Sequence, residues 1–344
     1  MLVVSECVML TPLGNVEQTV AGVAAGMNVY QQSIFLNRQN NPMTMCEVPS
    51  EAFVKLPEKI AALKLSHRRE RVVKLAITGL SALFEQTSLS SKTPVLFCAP
   101  EKIPGTRTTI DDRYLELMLN EFPENVDQQN SFVFPFGRAA ISHALDAAKE
   151  ILNSGQYEAV IVGGADSFRD PLLLEILDLE GRVLAEGVPG GFAPGEASAF
   201  LVLQLADQNK TDKARIAAWA SASEPGHRYS DENYLGEALA GAVQASLDSA
   251  PEKSIAGIYA NLNGEQFFSK EWGIAQLRNN KWFAEQIDIF HPADCFGDLG
   301  AATGPVQIGL VANQQAERKN SIQLMCFSSD LDSRSALVMN GRGS

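Results

Sequence analysis

Arg138 stands in Phe136-Gly137-Arg138-Ala139-Ala140-Ile141-Ser142-His143-Ala144, where a glycine elbow leads into a helix. A guanidinium buried there faces the positive end of the helix dipole and the cost of desolvation, so it needs a carboxylate or phosphate beside it. Three arrangements are open: Arg138 turns outward, pairs with Glu196 or Asp298, or holds an anionic ligand. Pairing within the chain is favoured over a ligand site. Ser142 beside His143 has the residue types of a nucleophile and its base. Adjacent helix residues point about 100° apart, so no direct Ser-His hydrogen bond is expected and His143 reads as a packed helix residue. His291 and Cys295, with Asp294 and Asp298 close by, offer a second nucleophile-base pair. Their four-residue spacing shares a face only in a helix, and Pro292 and Gly297 predict a loop; a buried, unreactive thiol is the ordinary state of such a cysteine. Lys64, His67, Arg68, Arg69 and Arg71 form the one dense basic cluster, read as a solvated helix end.

These residues must be positioned by an alternation of short apolar runs and helical patterns, which predicts an α/β protein. Met-Leu-Val-Val-Ser-Glu-Cys opens as a strand, Thr11-Pro12-Leu13-Gly14-Asn15 is a turn, and Val16 to Gly26 is an amphipathic helix. A less regular polar segment runs from Asn28 to Glu58. Leu65 to Glu85 carries Val72, Leu75, Ala76, Leu80 and Leu83 at helical spacing. Pro94 to Cys98 reads as a buried strand, and Arg107 to Gln128 is polar apart from a helical patch at Tyr114 to Leu119. The elbow helix spans 138–154 and stops at Ser154-Gly155, where a left-handed residue belongs. Val160-Ile161-Val162 is apolar on both faces, as a central parallel strand must be. Leu172 to Leu184 reads as a helix or lid, and Ala197 to Leu205 as a strand.

The second half repeats the plan. Strands are expected at Ile216–Ser221, Ile255–Asn261, Ile322–Phe327 and Ala336–Met339. Helices are expected at Tyr234–Ser246 and around Gln276–Lys281, with a Gly/Ala-rich helix start within Asp294–Gln314. The expected organisation is one compact unit of two similar halves, 1–208 and 209–344, meeting near residue 208. Gly163-Gly164 and Gly190-Gly191 lack the strand-to-helix context of a nucleotide loop.

The 344 residues are enough to bury roughly three quarters of the unfolded surface. A net charge of −13 argues against nucleic acid and anionic membrane as partners. It also disfavours an acidic carrier protein unless a local basic patch overrides it. The five cysteines have no CxxC spacing, which fits reduced thiols better than disulfides or a metal site. The N-terminus lacks a basic signal-peptide region and no apolar run reaches membrane-spanning length. A cytoplasmic protein with no metal and no cofactor is expected.

Several blocks, in order along nearly the whole chain, resemble the β-ketoacyl synthases of the thiolase-like superfamily. They are Thr11-Pro12-Leu13-Gly14-Asn15, the elbow-to-strand block ending in Gly163-Gly164-Ala165, and Gly191-Phe192-Ala193-Pro194-Gly195-Glu196-Ala197. Gly300-Ala301-Ala302-Thr303-Gly304 and Cys326-Phe327 followed by Ser335 to Val338 complete the set. The resemblance implies a thiolase-like fold: two βα-repeat halves, each with a mostly parallel sheet, in a layered αβαβα arrangement, and a homo- or heterodimer.

The family's chemistry uses an elbow cysteine thiolate and two histidines. Aligned without gaps from Gly163-Gly164-Ala165, the cysteine position falls on Arg138. The first histidine, in an Asn-Ala-His-Gly-Thr strand end, falls on Asn263 of Asn261-Leu262-Asn263-Gly264-Glu265. The second falls on Gly297, or on Asp298 if one residue is deleted, and the lysine before it on Pro292. Arginine cannot be acylated, glycine has no side chain, and asparagine keeps only a hydrogen-bond donor. The glycine-rich loop after Phe327 is replaced by Ser328-Ser329-Asp330, and segments that shape the family's acyl tunnel and dimer contacts are shorter.

The resemblance therefore implies a member without the condensing chemistry, acting as a partner, scaffold or adaptor. One form would be a chain-length-factor-like subunit, another an accessory protein of type VI secretion effectors. Its partner would be a ketosynthase paralogue, an acyl carrier protein or a secreted effector. Alternatives are an acyltransferase with its nucleophile relocated to Cys295-His291 or Ser142, and an acyl- or carboxylate-binding module built on Arg138, Glu196, Asp298 and Phe327.

Overall fold

The apolar runs assemble into one large sheet in a computed structural model that describes residues 1–206, 212–252, 254–284, 286–313 and 321–341. In chain order the first half contributes β1 (Leu2–Leu10), α1 (Val16–Ala24), β2 (Gln31–Leu36), β3 (Pro42–Met45), α2 (Glu58–Ala61), α3 (His67–Gln86), β4 (Val95–Cys98), α4 (Asp112–Leu119), β5 (Phe132–Phe134), α5 (Ala140–Asn153), β6 (Val160–Ser167), α6 (Pro171–Leu179) and β7 (Glu196–Leu205). The second half contributes β8 (Ala214–Ser223), α7 (Glu237–Ser249), β9 (Ile255–Ala260), α8 (Gln266–Arg278), β10 (Asp288–Phe290), α9 (Ala293–Phe296), α10 (Thr303–Ala312), β11 (Ile322–Ser328) and β12 (Ser333–Gly341).

The ten-stranded sheet has the order β10-β9-β11-β12-β8-β1-β7-β6-β4-β5. In the first half β5, β4 and β6 run parallel, and β7 runs antiparallel between β6 and β1. In the second half β10, β9 and β11 run parallel, and β12 runs antiparallel between β11 and β8. Leaving aside the separate β2-β3 hairpin, both halves thus place their strands in the same order, first, fifth, fourth, second, third. Their first strands, β1 and β8, meet antiparallel at Leu2↔Ile216 and join the two sets. Residue 208, the expected meeting point, lies outside the described residues, as does Gln314.

Apolar faces decide the layering. Helix α3 covers one outer face with Val72, Leu75, Ala76, Leu80 and Leu83, all buried. Helix α7 covers the other outer face against β8 and β12, with α8 packed on it. Between the half-sheets lie α5 and α10, which each touch strands of both halves and share one core with Ile141, Leu145, Val306, Met325 and Phe327. A fully buried Leu or Ile side chain contributes about 1.5–3 kcal/mol, so this double-sided burial is what fixes the elbow helix in place. Helix α5 ends at Asn153 with Ser154 as its cap, and Gly155 follows in the left-handed region at φ 72°.

Several local expectations need correction. The polar segment 28–58 contains the β2-β3 hairpin, whose strands carry exposed Ile34 and Leu36 and gave no alternating apolar face to read. The helix at Gln276–Lys281 is the end of α8, which begins ten residues earlier at Gln266. The segment from Leu172 is helical only to Leu179. Cys295 lies in the four-residue helix α9, not in a loop. No described helix is long and apolar enough to cross a membrane.

Candidate functional site

The elbow follows the edge strand β5. Gly137, at φ 57°, donates its N–H to the Ala99 carbonyl and turns the chain into a short 3-10 turn, Gly137–Ala139, that runs into α5. Ala139 N–H donates to Ser329 Oγ at 3.0 Å, and Ser329 Oγ in turn donates to the Phe136 carbonyl. The elbow is therefore tied to the β11-β12 turn, residues 329–332, which comes from the other half.

Arg138 points inward and is 2% exposed. Its Nε donates to both carboxylate oxygens of Asp298, at 3.0 and 2.9 Å, and Nη2 donates to Asp298 Oδ2 at 2.7 Å. Nη1 lies 3.4 Å from Asp330 Oδ2 and 3.8 Å from Glu101 Oε1. The guanidinium carbon sits 5.2 Å from the Phe268 ring centre and 5.9 Å from that of Phe168. Burial alone would lower the guanidinium pKa, but Asp298, Asp330 and Glu101 together carry it above its usual value.

Asn263 and Asp298 meet at the same point. Asn263 Nδ2 donates to Asp298 Oδ2 at 2.7 Å and to Glu265 Oε2 at 3.0 Å. Asp298 Oδ1 also accepts the Gly300 N–H at 2.9 Å. Gly297 contributes no side chain: it holds φ 74°, and a Cβ built there would lie 2.6 Å from the Ala193 carbonyl oxygen. Of the two candidates for the second histidine's place, Asp298 is the one whose side chain reaches the pocket.

Around this pair stand residues the sequence reading did not single out. Arg182 clasps Glu265 with Nε and Nη2, at 2.7 and 3.1 Å, and reaches Asp330 Oδ1 at 2.8 Å. Arg228 lies 3.0 Å from Glu265 and 3.1 Å from Asp330. Burial would raise the Asp330 pKa, but Arg182, Arg138 and Arg228 hold its carboxyl well below the usual carboxylate range. Glu101 accepts the backbone N–H groups of Asp330 and Leu331 at 2.9 and 2.8 Å. Burial and the nearby Asp330 push its carboxyl up to about 7, against the opposing pull of Arg138 and those two N–H groups. A separate small void on the far side of Asp298, lined by Asn261, Phe296, Gly297, Asp298, Thr303 and Gln307 among others but not by Arg138, is about 10 Å³. That is room for about one water molecule, not for an acyl chain.

The other candidates lie apart from this cluster or lack a partner. Glu196 does not meet Arg138; it accepts from Arg71 at 2.6 and 2.8 Å, from Ser167 Oγ and from the Val48 N–H. Arg68 donates to Asp166 Oδ1 at 2.9 Å and is itself buried. The basic cluster is thus not simply a solvated helix end, because Arg68 and Arg71 are consumed by buried carboxylates on β6 and β7. Ser142 Oγ pairs with Ser335 Oγ, whereas His143 Nε2 lies 3.1 Å from Ser333 Oγ with its ring stacked on Phe136. Burial lowers the His143 pKa against the pull of Asp146 and Asp332. No hydrogen bond joins His291 to Cys295 among the described residues. The Cys295 thiol is buried, and both that burial and Asp294 push its pKa up, which opposes a thiolate. Phe327 is fully buried in the central core. No group of residues that could hold a metal ion occurs among the described residues. A larger cavity of about 700 Å³ opens elsewhere, at the start of α3 beside Lys64, His67, Arg69, Arg107 and Tyr114.

The duplicated strand order, the two buried central helices and the glycine elbow between the half-sheets define the thiolase-like fold of the β-ketoacyl synthases. Solved structures agree. A ketosynthase (ApeO) in complex with its chain length factor (ApeC) from Xenorhabdus doucetiae matches with TM-score 0.72 and 14% identity over 99% of this chain and 98% of that one. The ketosynthase from module 6 of the bacillaene synthase of Bacillus subtilis 168 matches with TM-score 0.81 and 11% identity over 100% and 72%. A β-ketoacyl synthase from Burkholderia phymatum matches with TM-score 0.72 and 14% identity over 99% of each chain. No family model matches the chain, and no curated protein matches it.

Proposed function

We propose that this chain is a non-condensing member of the ketosynthase-like fold that works as a protein partner, most nearly a chain-length-factor-like subunit or adaptor. The observation that carries this reading is the buried Arg138-Asp298 ion pair, at the position that the family resemblance assigns to the condensing cysteine. An arginine offers no leaving-group exchange, and the positions expected to hold histidines are an asparagine and a glycine beside an aspartate. Neither alternative nucleophile is equipped: Ser142 is engaged by Ser335, and Cys295 is a buried thiol with raised pKa. The burial of Arg138, which is 2% exposed, also weighs against an open carboxylate or acyl site there.

The partner half of the reading is supported by the sheet edge. Among the described residues β5 is one edge strand of the ten-stranded sheet, and Phe132 and Phe136 there are 46% and 37% exposed. An unpaired edge with apolar side chains is a template for pairing with another chain. Chain length factors occur with ketosynthases in solved complexes of this fold, which fits a heteromeric partner for this chain as well. Light scattering of the purified chain, and recovery of a stoichiometric second protein from the native cell, test this. Phe132→Asp is expected to weaken the association at least about tenfold with unchanged circular dichroism. A strictly monomeric chain that captures no protein would overturn the partner role.

A further inference from the structure

The buried cluster around Arg138 contains an imbalance of charge that goes beyond the partner role. Three guanidinium groups, Arg138, Arg182 and Arg228, face four carboxyl groups, Glu101, Glu265, Asp298 and Asp330. All four carboxyl residues are buried, at 5% exposure or less. The neighbouring ion pairs do not correct the count, because Arg334 is matched by Glu271, Arg68 by Asp166 and Arg71 by Glu196. Glu180 also touches Arg182, but its side chain is 31% exposed and is solvated. An unpaired ionised carboxylate in such a site is costly, and a group so placed takes up a proton instead.

The geometry singles out which group does so. Asp298 is clasped by Arg138, Glu265 by Arg182, and Asp330 lies within 3.4 Å of all three arginines. Among the described residues Glu101 has no guanidinium hydrogen bond: its nearest cation there, Arg138 Nη1, is 3.8 Å away. The groups facing it are Arg138 from the elbow, and Asp330 with the backbone N–H groups of Asp330 and Leu331 from the β11-β12 turn. Asp298 joins the cluster through Arg138, Arg182 and Arg228 through Asp330, and Glu265 through Arg182.

We infer that this buried charge cluster is a proton-binding site, with one proton held on Glu101 between the elbow and the β11-β12 turn, and that its loss leaves an uncompensated negative charge that loosens the Arg138-Asp298 ion pair. Burial and Asp330 place this loss near neutral pH, since they push the carboxyl up to about 7. The sign follows from linkage. The native state keeps a proton that the unfolded chain, with its value of 4.5, has already released, so stability falls as pH rises from about 4.5 through about 7.

An infrared titration of the folded protein reads the proton directly. The carbonyl stretch of a protonated carboxylic acid is expected at pH 6, where solvated carboxylates are ionised, fading with a midpoint near neutrality and missing from Glu101→Gln. The urea midpoint of the wild-type chain is expected to fall across the same range, and that fall to flatten in the variant. No such band in folded wild-type protein at pH 6, or a band that survives unchanged in Glu101→Gln, overturns the inference. If the variant does not fold, the wild-type titration decides alone: a band lost near neutrality supports the site, and its absence at pH 6 refutes it.

Discussion

Arg138 and Asp298 are 160 positions apart in sequence and lie in different halves of the fold, yet they form a three-contact ion pair at 2.7 to 3.0 Å. The pair joins the elbow that starts α5 to the turn that starts α10, so it holds together the two helices sandwiched between the half-sheets.

Removing one partner leaves the other buried and uncompensated. Arg138→Ala and Asp298→Ala are each expected to cost about 3–5 kcal/mol, read from urea denaturation. The double replacement Arg138→Met with Asp298→Leu should cost much less than the sum, because no charge is then left unpaired. Additive costs in the double-mutant cycle would show that the pair is not coupled.

Gly297 is expected to resist any side chain, histidine included. Its φ of 74° and the Ala193 carbonyl 2.6 Å from a built Cβ mean that any side chain strains the turn. Gly297→Ala should lower stability by about 1–3 kcal/mol, and Gly297→His by at least as much. Unchanged thermal unfolding for Gly297→Ala would refute the close approach.

All five cysteines are buried and unpaired with one another. Burial pushes the Cys7 and Cys46 thiols up to about 12 and raises Cys98, Cys295 and Cys326 as well. Alkylation of the native protein at pH 7.5 should be at least about a hundredfold slower than that of a free thiol. Rapid labelling of Cys295 in the folded chain, read by peptide mass spectrometry, would revive it as a nucleophile.

Asp330 sets the acid limit of the cluster. Its folded-state pKa lies below the usual range, so its stabilising contribution is present above the unfolded value of 3.8 and is lost as pH falls through the folded value. Asp330→Asn is expected to flatten the acid limb of the stability profile while costing about 3–5 kcal/mol at neutral pH, where three arginines lose their shared anion. An acid limb identical to that of the wild-type chain would remove Asp330 from the account.

The elbow-helix-strand block was legible because Gly137, the apolar face of α5 and the doubly apolar Val160-Ile161-Val162 are local signals. In the second half β8, β9, β11 and β12 were legible for the same reason, whereas the short β10 (Asp288–Phe290) was not. The β2-β3 hairpin was not, since its exposed Ile34 and Leu36 break the alternation that marks a half-buried strand. Asp298 could be weighed as a partner for Arg138, but Glu196 could not be excluded. Its true partner, Arg71, is 125 positions away and sits in a basic run that resembles an ordinary solvated helix end. Glu101, Arg182, Arg228 and Glu265 carried no local signal at all, because their meaning lies in a charge balance assembled from separate loops. Only the change to Ser328-Ser329-Asp330 hinted that the β11-β12 turn had taken on new chemistry.

The central claim, a ketosynthase-like fold without a condensing nucleophile, is tested most directly by intact-protein mass spectrometry after incubation with acyl-thioesters of coenzyme A and of a carrier protein. The expected result is an unchanged mass, with an active ketosynthase acylated in parallel. An acyl adduct on the wild-type chain that disappears in Cys295→Ala or Ser142→Ala would contradict it and establish a relocated nucleophile.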